Sequence, residues 1–216
     1  MLSNDARRLW EAARGLQASA LARSGPAVSR PAPPLLFFTD PGRTPRPWDT
    51  AARLPEGSAV VYRHFGVADA KAVAGRLREI TRLRGVRLLI GLDGGLAEHI
   101  GADGLHLPER ALTDAAAIRQ RHPTWLLTGA VHSLEAVRTA PRDGLDALVL
   151  SPIFLAGGAS ASRPALGVAA LRDAADLAAC PIYALGGIGP GNVDELVGSG
   201  ACGLAGVEAI QTAFAA

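Results

Sequence analysis

Between residues 35 and 207, short and mainly apolar runs recur at intervals too wide for hairpins: 35–39, 59–63, 87–90, 104–107, 126–130, 147–150, 182–185 and 203–207. They are continuous rather than alternating, the pattern of parallel strands covered on both faces. The stretches between them follow a helical period. Residues 67–83 place Val67, Ala70, Val73, Ala74, Leu77, Ile80 and Leu83 on one face, with Arg and Glu between them. Thr113 is expected to cap a helix running to 121, and Ser133 one through about 139. Pro190 suits the first turn of a helix reaching about 199. Ahead of all this, residues 4 to about 23 gather Leu9, Trp10, Ala13, Leu16 and Leu21 near one face, with Asn4 and Asp5 as the capped start. A Pro- and Ser-containing linker follows from Ser24-Gly25-Pro26 to Pro33-Pro34.

Eight strand–helix units in about 180 residues predict a compact (β/α)8 TIM barrel with an additional N-terminal helix. The division is an N-terminal helix and linker over 1–34 and a barrel over 35–216. An open, doubly wound sheet is the structural competitor. A weak repeat supports the alternation: Gly101-Ala102-Asp103-Gly104-Leu105, Gly144-Leu145-Asp146-Ala147-Leu148 and Gly200-Ala201-Cys202-Gly203-Leu204 each lead into a strand. Glycine there suits a left-handed helix end. The N-terminal helix has two uses open to it, covering the barrel bottom or joining copies of the chain into a homo-oligomer. The first is favoured, because a barrel bottom needs covering.

Composition narrows the function classes. With 49% hydrophobic residues in 216, one sizeable core is affordable, burying roughly 70% of the unfolded surface. The 22 basic and 20 acidic residues leave a net charge of +2, which lacks the footprint of a nucleic-acid binder. No apolar run of membrane-spanning length stands free of Gly, Pro or charge, and Glu11 and Arg14 interrupt the N-terminal stretch where a secretory signal would be apolar. Cys180 and Cys202 have no metal-type spacing. The expectation is a cytoplasmic protein with a small-molecule ligand and neither nucleic-acid nor membrane partners.

In a barrel of this kind chemistry sits where strands end. Polar residues fall there repeatedly: Thr39 and Asp40, Arg63 and His64, Asp93, His106 and Glu109, His132 and Ser133, Ser151, and Glu208. In Ala184-Leu185-Gly186-Gly187-Ile188-Gly189-Pro190-Gly191-Asn192 a strand opens into glycines. Their exposed N–H groups suit a phosphate, while a tight turn needing glycine dihedrals is the simpler alternative. Imidazole at His132 or His106 can exchange protons near neutral pH, or merely hydrogen-bond within the mouth. Arg63 suits an anion or a structural ion pair.

From 35 to 210 the chain resembles the thiamine phosphate synthase/TenI family. The resemblance rests on Phe38-Thr39-Asp40, Gly101-Ala102-Asp103-Gly104-Leu105-His106-Leu107, Ala130-Val131-His132-Ser133, Ser151-Pro152-Ile153-Phe154, Leu166-Gly167 and Ala184-Leu185-Gly186-Gly187-Ile188. It implies a (β/α)8 barrel handling thiazole phosphates in thiamine biosynthesis. Synthases of the family join a pyrimidine diphosphate to a thiazole phosphate with Mg²⁺, whereas TenI-type tautomerases move a proton with a histidine and no metal.

The chain departs from the synthase pattern at its charged positions. Gly91-Leu92 stands where the family has Asn-Asp, and Ala111 where it has a second aspartate, so the hard oxygen donors of Mg²⁺ are missing. Asp93 and Glu109 lie one or two positions away as substitutes. Arg63-His64-Phe65 replaces Arg-Glu-Lys, and Ala156-Gly157-Gly158-Ala159 replaces Thr-Pro-Thr-Lys, followed by Ser160, Ser162 and Arg163. Glu208 replaces a small serine beside the phosphate, which a carboxylate repels unless turned away or protonated. His132 matches the tautomerase histidine. The leading expectation is therefore cofactor-free proton transfer on a thiazole phosphate or related heteroaromatic ligand, with His132 catalytic and Arg63, His106, Ser151, Gly167, Gly186, Gly187 and Glu208 around the ligand. The alternatives are the Mg²⁺-dependent synthase and a non-catalytic ligand-binding or assembly barrel.

Overall fold

A computed structural model describes residues 2–24, 32–158 and 162–215. Most of the predicted linker (25–31) and Ser160 lie outside the described residues. Eight parallel strands close in chain order: β1 (Leu35–Phe38), β2 (Ala59–Tyr62), β3 (Arg87–Gly91), β4 (Gly104–Leu107), β5 (Leu126–Val131), β6 (Ala147–Leu150), β7 (Ile182–Leu185) and β8 (Gly203–Gly206). β8 returns to β1, with Leu35 opposite Leu204 and Phe37 opposite Gly206, so the sheet is not open. Every predicted run falls on a strand, within one residue at either end. Alternate side chains explain why: Leu36, Phe38, Ala59, Val61, Ala147 and Val149 fill the barrel, while Leu35, Phe37, Val60, Leu148 and Leu150 pack outward under the helices. Both faces are dry, so both must be apolar.

The helices are α1 (Asn4–Ser24), α2 (Pro47–Ala51), α3 (Ala70–Arg84), α4 (Gly94–Ile100), α5 (Ala115–Arg121), α6 (Leu134–Thr139), α7 (Gly167–Leu177) and α8 (Glu208–Ala215). Ser133 caps α6 as expected, its Oγ accepting from Ala136 N at 3.0 Å. Thr113 caps nothing: 109–114 wind as a 3₁₀ turn that runs into α5. α1 is capped not by Asn4 or Asp5 but by Ser3, whose Oγ accepts from Ala6 N at 3.1 Å and donates to Ala213 O at 2.8 Å. After Pro190 only a 3₁₀ turn forms, Val193–Leu196, because Asn192 ties the preceding loop down, accepting from Gly189 N and donating to Gly187 O.

That short turn leaves β8 without the cover of a full helix. α1 supplies it, packing on β8, β1 and α8 with Leu9, Ala13 and Leu16 buried. The N-terminal helix therefore belongs to the outer ring and does not lie across the bottom; its Ala20 alone joins the inner layer. At the bottom, Tyr183 donates its hydroxyl to Pro33 O at 2.5 Å.

Of the three repeated glycines, all have positive φ, but only Gly101 ends a helix. The aspartates of two repeats do matching work. Asp103 Oδ2 accepts from Leu88 N at 2.7 Å and from Arg78 Nη1 at 2.5 Å. Asp146 Oδ2 accepts from Leu127 N at 2.7 Å and from Arg119 Nη2 at 2.6 Å. Each staples the entrance of one strand to its neighbour and to the helix outside. No helix among the described residues is long and apolar enough to cross a membrane.

Candidate functional site

The inward alternation of β2, Ala59 then Val61, continues to Arg63, which brings a guanidinium over the top of the barrel. Arg63 Nε donates to Thr39 O at 2.8 Å, and its backbone N–H to Thr39 Oγ1 at 2.9 Å. Its Cζ lies 5.3 Å from the Phe38 ring centre and 5.4 Å from that of Phe65. Burial lowers its pKa to about 10; Asp40 opposes that shift and Arg43 reinforces it, so Arg63 stays charged at neutral pH. Its Nη2 is buried with no partner among the described residues. A buried cationic donor left open is costly unless a ligand or water completes it.

Arg63 lines a mouth cavity of about 330 Å³ together with Arg43, residues 155–157, 185–189 and 206–209. That volume suits a small organic ligand. Gly186 and Gly187 are required by geometry as well as by access. Both have positive φ, and a Cβ on Gly187 would lie 2.4 Å from Leu155 O. The loop after β7 thus presses on the loop after β6. The N–H groups of Gly187 and Ile188 donate to no carbonyl among the described residues, and Glu208 and Ala209, the first residues of α8, line the same cavity. Glu208, the first residue of α8, keeps its side chain 59% exposed and leans toward Arg43, Oε2 to Nη1 at 3.8 Å.

Sequence reading passed over Arg43, for a lone arginine in the Pro41-Gly42-Arg43 turn carries no motif. The structure fixes it through Asp40, whose Oδ2 accepts from Arg43 Nη2 at 3.1 Å and whose Oδ1 accepts from the backbone N–H groups of Gly42 and Arg43. Burial works to raise the Asp40 pKa, but the Arg43 bond and charge outweigh it and hold the carboxyl below 3.8.

The histidines form a second group, outside the residues that line this cavity. His132 follows β5, and its Nδ1 lies 2.9 Å from Ser151 O and 3.1 Å from Ser151 Oγ. A carbonyl only accepts, so Nδ1 carries a hydrogen, and Nε2, which has no partner among the described residues, is left to take or give a proton. Glu109 Oε2 accepts from the His132 backbone N–H at 2.9 Å and fixes where the residue starts. Ser151 is buried and orients the ring from β6. His106 sits inside the barrel, 6% exposed, its Nδ1 2.9 Å from Thr128 Oγ1 and its ring edge-on to Phe38. Burial, then the charges of Arg63 and His132, push its pKa down to about 3, so it stays neutral. His106 therefore links the two groups electrostatically. Gly167 lies apart from the cavity lining, and its N–H is already given to Ile153 O at 2.9 Å.

The donors that a magnesium diphosphate would need are not assembled. Leu92 points an apolar, 46% exposed side chain outward, and Ala111 is buried. Asp93 Oδ1 caps α4 through Leu96 N at 2.9 Å, while its Oδ2 faces His64 Nε2 at 3.5 Å. Glu109 is engaged at His132. Among the described residues no group of three or more His, Cys, Asp or Glu could hold a metal ion. These residues do not fit the group.

The structure is similar to thiamine phosphate pyrophosphorylase from Pyrococcus furiosus, with a TM-score of 0.67 at 22% identity, over 84% of this chain and 91% of that one. At that identity the likeness speaks for the fold. In sequence, the chain is 32% identical to the thiamine-phosphate synthase of Chloroflexus aurantiacus over 80% of each protein. It is also 32% identical to that of Thermus thermophilus, over 79% of this chain and 87% of the relative. The family described as thiamine monophosphate synthase matches residues 45–210. Fold and sequence agree, and the chain belongs to the thiamine monophosphate synthase family.

Proposed function

We propose that this member of a thiamine-biosynthesis family transfers a proton, without metal, on a small heteroaromatic monophosphate of the thiazole phosphate kind. The observation that carries the reading is the His132 imidazole, anchored at Nδ1 on the Ser151 carbonyl with Nε2 open. A 1,3-proton shift needs one group that takes a proton from one ring position and returns it at another. His132 Nε2 removes the proton, the resulting imidazolium keeps its Nδ1 bond to Ser151 O, and the same nitrogen delivers the proton back. Arg63 and the open N–H groups of the loop after β7 support the idea that a phosphate anchors the substrate.

The test follows thiazole phosphate tautomers by NMR with excess chelator present. Wild-type turnover and a loss of roughly 100-fold or more in H132Q are expected. Turnover unchanged in H132Q, or abolished by the chelator, would overturn the proposal. The names of the relatives favour a second reading, the synthase reaction. Thiamine phosphate formed from both substrates with Mg²⁺ would establish it. Ligand-induced stabilisation without either product would instead mark a binding-only barrel.

A further inference from the structure

The loop after β6 carries Ala156-Gly157-Gly158-Ala159 where the resemblance expects Thr-Pro-Thr-Lys, so the sequence brings that corner no cation at position 159, which lies outside the described residues. A cation reaches the same corner from across the barrel. The Arg43 guanidinium, from the loop between β1 and α2, lies against the backbone of Gly158. A Cβ there would come 2.5 Å from Arg43 Cζ and 2.7 and 2.8 Å from its two Nη atoms. Any residue but glycine would displace it. Arg43 is tied unequally to two acids, to Asp40 at hydrogen-bond distance and to the exposed Glu208 at 3.8 Å. Its Nε is buried without a partner among the described residues, as is Arg63 Nη2 in the same cavity.

We infer that Arg43 is the specificity-determining cation of this site, exchanging Glu208 for a phosphate oxygen of the substrate while Asp40 holds it in place, and that Glu208 limits the site to a single phosphate. This rests on the phosphate-binding reading above. The charges explain the limit. Arg43 and Arg63 together balance Asp40 and Glu208, so a phosphate monoester meets a net positive charge only when Glu208 swings toward solvent. A diphosphate adds further negative charge with no third cation among the described residues that line the cavity, and beside Glu208 it is repelled.

Calorimetric titration of the full chain with inorganic phosphate and with pyrophosphate tests this. Wild type should bind phosphate more tightly than pyrophosphate. R43Q should weaken phosphate binding about tenfold or more, as loss of a charge-assisted hydrogen bond implies. G158A should reproduce that loss with Arg43 still present, and E208Q should tighten both anions, pyrophosphate more. If R43Q fails to fold, R43K replaces it: the single ammonium nitrogen lacks the planar fork whose separate edges meet Asp40 and the anion, so phosphate binding must still weaken severalfold. A folded R43Q or R43K with wild-type phosphate affinity, a preference for pyrophosphate, or no phosphate binding by the wild type would each overturn the inference. Phosphate binding with these variant effects but no turnover would remove the proton-transfer proposal and leave this one standing. Turnover lost in H132Q alongside unchanged phosphate affinity in R43Q would do the reverse.

Discussion

His106 offers a direct test of the barrel's interior electrostatics. Its folded-state pKa is about 3 against an ordinary 6.5, burial being the leading cause. The unfolded chain therefore binds a proton below pH 6.5 that the folded chain refuses until about pH 3. Stability tied to this residue is complete above pH 6.5 and is lost as pH falls through that window. At 1.36 kcal/mol per unit, the loss is about 2 kcal/mol between pH 7.5 and 5 and roughly 5 kcal/mol by pH 3. Carboxylates also titrate in the lower part of this range, so the measurement is a difference. Urea unfolding of wild type and H106N at pH 7.5, 6.5, 5.5 and 5.0 gives two stability curves. Asparagine keeps a polar partner near Thr128 Oγ1 but does not titrate. The wild-type advantage should shrink by about 2 kcal/mol from pH 7.5 to 5, or reverse in sign. Parallel curves would refute the neutral, desolvated histidine.

Other outcomes follow from the same geometry. D103A removes the acceptor of both Leu88 N and Arg78 and should cost about 2–3 kcal/mol in urea unfolding, with D146A similar because Leu127 N and Arg119 lose the same support. S133A should cost about 1 kcal/mol by removing the α6 cap, seen as a lower denaturation midpoint at unchanged slope. G187A places a Cβ 2.4 Å from Leu155 O at a residue with φ +64°, so the loop after β7 must shift. Thermal stabilisation by inorganic phosphate should then vanish even if the variant remains folded.

Much of this was legible beforehand. Strands buried on both faces betray themselves as apolar runs, and parallel strands joined by helices leave few topologies, so 35–39 and its seven successors marked the barrel. Barrel geometry then named one end as the place for Arg63, His106, His132, Ser151 and Glu208, and Ser133 announced its helix through local capping chemistry. The helix expected after Pro190 failed because Asn192 bonds back onto its own loop, a competition between side chain and backbone that periodicity does not register.

Local pattern therefore determined the strands, their burial and the family-like strand ends, since these depend on each residue's near neighbours and its water exposure. Tertiary structure alone decided the use of α1 as ring cover for β8 and the matched staples at Asp103 and Asp146. It also brought Arg43 to Gly158, more than a hundred positions away in the chain. Contacts of that separation follow from how loops converge over a closed barrel, and no local propensity encodes them.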